Sequence, residues 1–279
     1  MWRALLSRRS SAAVALALFT IAFPRAQESD PKLTGIDFIL DTYVRDGEVY
    51  YRALKSDRAR LDTYVASLAA APVAQQPRDV QLAFWLNAYN AFVLRTVIDH
   101  YPIQGRSSEY PAKSIRQIPG AFERLTHRVA GKTLTLDQIE LTVLPEFHDP
   151  RVYFALGRGA LGGGRLRSEP FAGAKLEAQL TDTANECITR AQCVHIARDT
   201  NKVEANSIFS WREKEFVAAY AAGAVSAFAN RSPIERAVLA FISPKLLTTE
   251  REFLAANTFE VVYKSFDWTL NDLTGRGGR

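Results

Sequence analysis

The sequence predicts a helix-rich α+β fold, a single domain with a small antiparallel or mixed sheet. Three observations lead there. Most of the chain carries apolar residues at helical spacing, a few short runs alternate as strands do, and no repeat or long linker divides it. With 279 residues, 47% apolar and 23% charged, its composition is that of an ordinary globular protein with one sizeable core.

Residues 1–26 stand apart. Arg3, Arg8 and Arg9 precede an apolar run from Ala12 to Phe23, and Pro24-Arg25-Ala26 follow. A basic start and an apolar core of about 12 residues make a secretory signal, too short for the roughly 20 residues that span a bilayer. Ser7-Arg8-Arg9-Ser10 is a weak twin-arginine match. The expected location is therefore periplasmic or secreted, with no stable membrane span. Of the net charge of +5, four units belong to arginines of this segment, which holds no acid. Residues 273–279, with Arg276 and Arg279, read as a flexible basic tail, and the body between is nearly neutral. A clustered basic face is missing, which excludes a nucleic-acid partner.

In order, Leu33 to Tyr43 reads as a helix, Val49-Tyr50-Tyr51 as a short strand, and Asp57 to Ala69 as a second helix. Arg78 to Tyr101 is the strongest helix, apolar nearly all round and so buried on most sides, and Pro102 ends it. Within it Asn87 and Asn90, three apart, share a face and need buried hydrogen-bond partners. They either tie neighbouring loops to the helix or orient a group in a site. His127 to Leu134 reads as a hairpin turning at Ala130-Gly131, and Thr135 caps a helix from Leu136 to about Leu144. Val152 to Leu156 reads as a buried strand. Gly173 to Ile188, Phe216 to Phe228, Pro233 to Ile242 and Lys245 to Asn257 read as helices. Lys202 to Trp211 starts as a strand, Thr258 to Tyr263 alternates as one, and Phe266 to Asn271 closes the fold.

The segment with chemical promise follows Leu156: five glycines and three arginines within eleven residues, from Gly157 to Arg167. Gly157-x-Gly159-x-x-Gly162 matches the dinucleotide fingerprint by letter, but no helix opens on it and no second strand with an acid follows. Two readings remain. The glycines let strand and helix pack closely, or backbone N–H groups with Arg158, Arg165 and Arg167 form an anion nest. Glu140 or Glu169 could instead pair with Arg158 and close the loop as a lock.

Leu82-Ala83-Phe84-Trp85-Leu86-Asn87-Ala88-Tyr89-Asn90-Ala91 resembles the hallmark of the family called domain of unknown function 547 (DUF547). Leu134 to Glu140, Asp149 to Pro170, Ser207 to Trp211 and Asp267 to Asn271 resemble its later blocks, in order. The resemblance implies a DUF547-like domain over residues 33–272. It also marks departures. The family pattern carries His where Leu141 and Tyr153 stand, Cys where Arg158 stands, and Cys-Pro where Gly163-Gly164 stand. Those residues imply thiol or metal chemistry, and their joint replacement implies a pseudoenzyme.

Nothing else in the chain supplies a substitute. His100, His127, His148 and His195 are scattered and read as surface histidines; Ser168 has no evident base. No catalytic residue, metal ligand or cofactor is assigned. The candidate binding residues are Arg158, Arg165, Arg167, Tyr153, Glu140, Glu169, Asn87 and Asn90, and the expected partner is an anionic small molecule or a protein. The alternative is a hydrolase or transferase with a non-thiol site around Tyr153, Glu140, Glu169 and Arg158. Cys187 and Cys193, the only cysteines, are expected to form a disulfide in an exported chain. Their C-x5-C spacing does not suit thiol–disulfide exchange, which favours C-x-x-C.

Overall fold

The long apolar helix is the axis of the molecule. In the computed structural model, which describes residues 35–273, it runs Arg78–His100 (α4), and sixteen of its side chains between Leu82 and Ile98 are buried. Before it come α1 (Ile36–Tyr43), a hairpin of β1 (Val44–Arg45) and β2 (Glu48–Val49), α2 (Tyr51–Ser56) and α3 (Ala59–Leu68). Asp46 and Gly47 form the hairpin turn at φ 52° and 82°, the left-handed pair a two-residue type I′ turn requires.

After α4, β3 (Thr126–Val129) and β4 (Lys132–Thr135) pair antiparallel with His127 opposite Leu134, and Ala130-Gly131 makes the turn. Thr135 and Gln138 form a capping box that starts one α-helical turn, α5 (Leu136–Gln138). The helix does not run on regularly to Leu144. It widens into a π turn at Ile139–Val143 and then tightens into a 3₁₀ turn at Leu144–Phe147. π turns inside helices recur at functional sites, and this one carries Glu140.

Downstream lie α6 (Leu176–Thr189), β5 (Val194–Ala197), β6 (Lys202–Asn206), α7 (Ser207–Trp211), α8 (Glu213–Tyr220), α9 (Pro233–Ile242), α10 (Thr248–Ala255) and β7 (Glu260–Lys264). β5 pairs antiparallel with β6, and β6 pairs parallel with β7, Val203 opposite Val261. The sheet is thus mixed and small, and the fold is helix-rich α+β. Phe154, Phe209, Phe216 and Phe241 pack ring on ring where α7, α8 and α9 meet the loop before the glycines. Such pairs add about 0.5–1.5 kcal/mol each beyond burial.

Several expectations need correction. Pro150–Phe154 is a 3₁₀ helix, not a strand: the Asp149 carboxylate accepts from Arg151 N, and Pro150 at the first position presets the turn. A short buried apolar run has no periodicity to separate the two. Tyr51 opens α2 rather than extending a strand. The helix expected to Phe228 stops at Tyr220, followed by 3₁₀ turns at Ala221–Gly223 and Ser226–Phe228. α10 is also shorter at both ends than expected. β5 was not anticipated, since its burial pattern, buried only at the two ends, lacks the alternation of a strand. The expected signal, residues 1–26, and most of the expected tail lie outside the described residues.

Candidate functional site

The Gly/Arg loop is tied to α4 at two points. Asn90 Nδ2 donates to the Ala155 carbonyl at 3.0 Å, and Gly157 N donates to Asn90 Oδ1 at 2.9 Å. One turn earlier, Asn87 Nδ2 donates to the Phe171 carbonyl at 2.8 Å, and Phe171 N donates to Asn87 Oδ1 at 2.9 Å. Each amide therefore uses its donor and acceptor on one stretch of backbone. The helix face predicted from their spacing grips the loop before its glycines and after its arginines.

Between those grips the chain turns inward. Arg158 has a positive φ of 44° and is followed by Gly159 at 63°. The turn drives the Arg158 side chain into the core, where it is 2% exposed. Its Nη2 and Nε donate to Glu140 at 2.6 and 3.2 Å, and its Nη1 donates to the Tyr153 carbonyl at 2.9 Å. The Tyr89 hydroxyl donates to the same carboxylate at 3.2 Å. Burial opposes the charge on Arg158, but Glu140 more than offsets it and holds the guanidinium above its ordinary range. Burial first, then the Glu140 charge, pushes the Tyr89 phenol well up.

The loop backbone is closed as well. Leu161 N and Gly162 N donate to the carbonyls of Thr269 and Asp267 at 2.9 and 2.8 Å, and Gly163 N donates to the Ala160 carbonyl. A Cβ on Gly164 would lie 1.5 Å from the Phe154 oxygen, and one on Gly162 would lie 2.6 Å from Asp267 N. These glycines let backbone pack on backbone. Their N–H groups do not converge on an open nest.

Arg165 and Arg167 point away from this core. Arg165 bridges Asp46 and Glu186, and Arg167 pairs with Glu169. Arg167 first, with Gln179 adding a hydrogen bond, holds the Glu169 carboxyl below its usual range. All three loop arginines thus already meet carboxylates.

Tyr153 belongs to a third cluster that sequence reasoning missed. Its hydroxyl accepts from Arg212 Nη2 at 2.8 Å, and the Arg212 guanidinium lies 4.2 Å from the ring centroid. Arg212 also pairs with Glu215. Burial pushes the Tyr153 phenol up to about 12, so it is neutral at pH 7. Nothing local in the sequence links positions 153 and 212. Next to this cluster Trp211, 46% exposed, stacks with Phe266 and Trp268 at 4.9 and 6.1 Å. That contact unites two of the blocks singled out by resemblance.

The structure therefore brings Glu140 and Arg158 together against the Tyr153 carbonyl and adds Tyr89, while the Tyr153 phenol lies with Arg212 and Glu215. Glu169, Arg165 and Arg167 lie in a separate outer cluster, and Leu141, beside Glu140, faces solvent. Among the described residues no three His, Cys, Asp or Glu side chains are placed to hold a metal ion. His127 is half-buried rather than exposed: it stacks on Phe92 at 4.4 Å, and burial lowers its pKa to about 4. Cys187 and Cys193 are bonded, with Cα atoms 5.2 Å apart, because α6 ends at Thr189 and the chain turns back between them.

No helix among the described residues is long and apolar enough to cross a membrane. Neither the curated proteins nor the solved structures contain a match to this chain. One protein family does match, over residues 73–188. That span takes in α4 with its two asparagines, Glu140 and the whole Gly/Arg loop, whereas the blocks at 207–211 and 267–271 lie beyond it. Over residues 73–188 the chain matches the family described as "Protein of unknown function, DUF547".

Proposed function

We propose that this is an exported, non-catalytic DUF547 protein with a binding role, whose Gly/Arg loop serves as a structural lock. The observation that carries the reading is the buried Arg158–Glu140 pair. Where the resemblance marks a cysteine, a guanidinium fills the space, and it is fully engaged by Glu140 and the Tyr153 carbonyl. A nucleophile needs a base beside it and room for substrate. Here the Tyr153 oxygen is held by Arg212 and Glu215, and Glu140 by Arg158 and Tyr89. Export rests on the basic and apolar pattern of residues 1–26 and on the Cys187–Cys193 bond.

The alternative, a hydrolase or transferase at the loop, needs Glu169 near Tyr153 and Glu140, but Glu169 pairs outward with Arg167. The test has two parts. Mass spectrometry of the protein from its source should find a start between about Phe23 and Ser29; an intact Met1 overturns export. Purified protein should not turn over ester, amide or glycoside substrates. Turnover that Tyr153→Phe or Glu140→Gln abolishes, with the variant still folded, overturns the non-catalytic reading.

A further inference from the structure

A cleft lies away from the loop, against Trp85 of α4. It encloses about 530 Å³, within the range of small-molecule sites. Its walls are Val73 from the turn before α4, Leu134 from β4, Val143 from the π turn and Phe147 from the 3₁₀ turn. Lys132 and Leu134 are two apart on one strand, so they share its face toward the cleft. The walls are braced: Ala130 N and Gly131 N of the hairpin turn donate to the carbonyls of Leu68 and Ala69, both at 2.8 Å.

Two features distinguish this cleft from a simple packing defect. Trp85, which lines it, is only 5% exposed, and its indole N–H donates to no described residue. That nitrogen is not among the fully enclosed polar atoms left without a partner, so it is open to an acceptor on a ligand. The lip also carries a cation, Lys132, that forms no ion pair with a described carboxylate. Arg78, next to the cleft rather than in its lining, stacks on Phe147 at 5.1 Å while donating to the Glu146 carbonyl. Glu146 is the single acid lining the cleft.

We infer that the cleft binds a single-chain amphiphilic carboxylate, its apolar chain along Val73, Leu134, Val143 and Phe147 and its head group at Lys132. The apolar walls favour a hydrocarbon chain, the unpaired Lys132 favours an anionic head, and the volume suits one chain. This names a ligand class for the binding role proposed above, but at a different place; it stands or falls independently of the lock at Arg158.

The experiment is calorimetric titration of the full protein with octanoate, decanoate and dodecanoate below their micellar concentrations, with decanol as the uncharged control. Affinity should rise roughly four-fold per added methylene, the equivalent of burying one CH₂. Lys132→Glu, an exposed change, should weaken decanoate about ten-fold and leave decanol unaffected. Tryptophan emission should shift on decanoate binding in the wild type and stay constant in Trp85→Phe. Absence of decanoate binding, equal affinity for decanoate and decanol, equal loss of both in Lys132→Glu, or an emission shift surviving in Trp85→Phe overturns the proposal. An unchanged melting temperature in each variant shows that the fold was retained. Leu134→Asp, which places a charge on the wall, should abolish binding of the acid and the alcohol alike, and retained binding there also refutes the site.

Discussion

Arg158→Ala should be among the most damaging single substitutions in this protein. It removes both guanidinium contacts to Glu140 and the donor to the Tyr153 carbonyl, leaving a buried carboxylate with only the Tyr89 hydroxyl. Breaking one side of such a pair costs about 3–5 kcal/mol, because the remaining charge stays buried without its partner. For a domain of this size that corresponds to a fall in melting temperature of roughly 6–20 °C, at about 2–4 °C per kcal/mol. Glu140→Leu alone should be similarly harmful, since it strands the guanidinium of a side chain that is 2% exposed. The double variant Arg158→Met, Glu140→Leu should recover at least half of the summed loss, because apolar replacement of a whole buried pair is often close to neutral. Urea unfolding followed by circular dichroism of the wild type, Arg158→Met, Glu140→Leu and the double variant gives all four free energies and hence the coupling, expected at about 3 kcal/mol or more, at or above the top of the range of about 0.5–3 kcal/mol common for contacting residues. A loss below about 1 kcal/mol for Arg158→Ala, or strictly additive effects, would refute the view of this pair as the lock.

Three further outcomes are expected. Reducing the Cys187–Cys193 bond, which closes a separation of six residues, should lower stability by about 2 kcal/mol on the chain-entropy account; free-thiol labelling of the oxidised protein without prior reduction would contradict the bond. Acid should act through His127: burial holds its folded pKa near 4, below the ordinary 6.5, so the unfolded state binds the extra proton. Its contribution is complete above pH 6.5 and disappears as pH falls toward 4, by up to about 3 kcal/mol. His127→Phe, which keeps the stack on Phe92, should show a shallower fall in stability across that window, and an unchanged slope would refute the assignment. Gly164→Ala should prevent normal folding because its Cβ would meet the Phe154 carbonyl at 1.5 Å, whereas Gly223→Ala, with open space around it, should change stability by less than about 1 kcal/mol. Equal melting temperatures for the two variants would show that the loop yields freely.

Much of this arrangement was legible because local rules and burial agree. α4 announces itself by apolar residues on every side, and α9 by Ser232, Pro233 and Glu235, a cap, a first-turn proline and a closing acid. The asparagines could be placed on one face because helical geometry fixes the direction of residues three apart. Legibility failed where tertiary context decides. The apolar run before Gly157 fits a strand or a helical turn equally, and the Asp149 cap settles it. The partner of Arg158 was narrowed to Glu140 or Glu169, but only the π turn at Ile139–Val143 places Glu140 beneath the loop. Arg212 reaches Tyr153 across 59 residues, a separation at which sequence offers no pairing rule. Trp85 looked like any other core aromatic, because a cleft is formed by its neighbours and has no periodicity of its own.

The central claim is that Arg158 is spent on Glu140 and is closed to external anions. Thermal unfolding of the wild type and of Arg158→Ala in rising sulfate, phosphate and citrate tests it directly, each protein judged against its own anion-free melting temperature. A closed lock predicts that the anions raise both melting temperatures by the same amount, or neither. A rise of several degrees in the wild type that Arg158→Ala loses would show an anion reaching that guanidinium, and would contradict the claim.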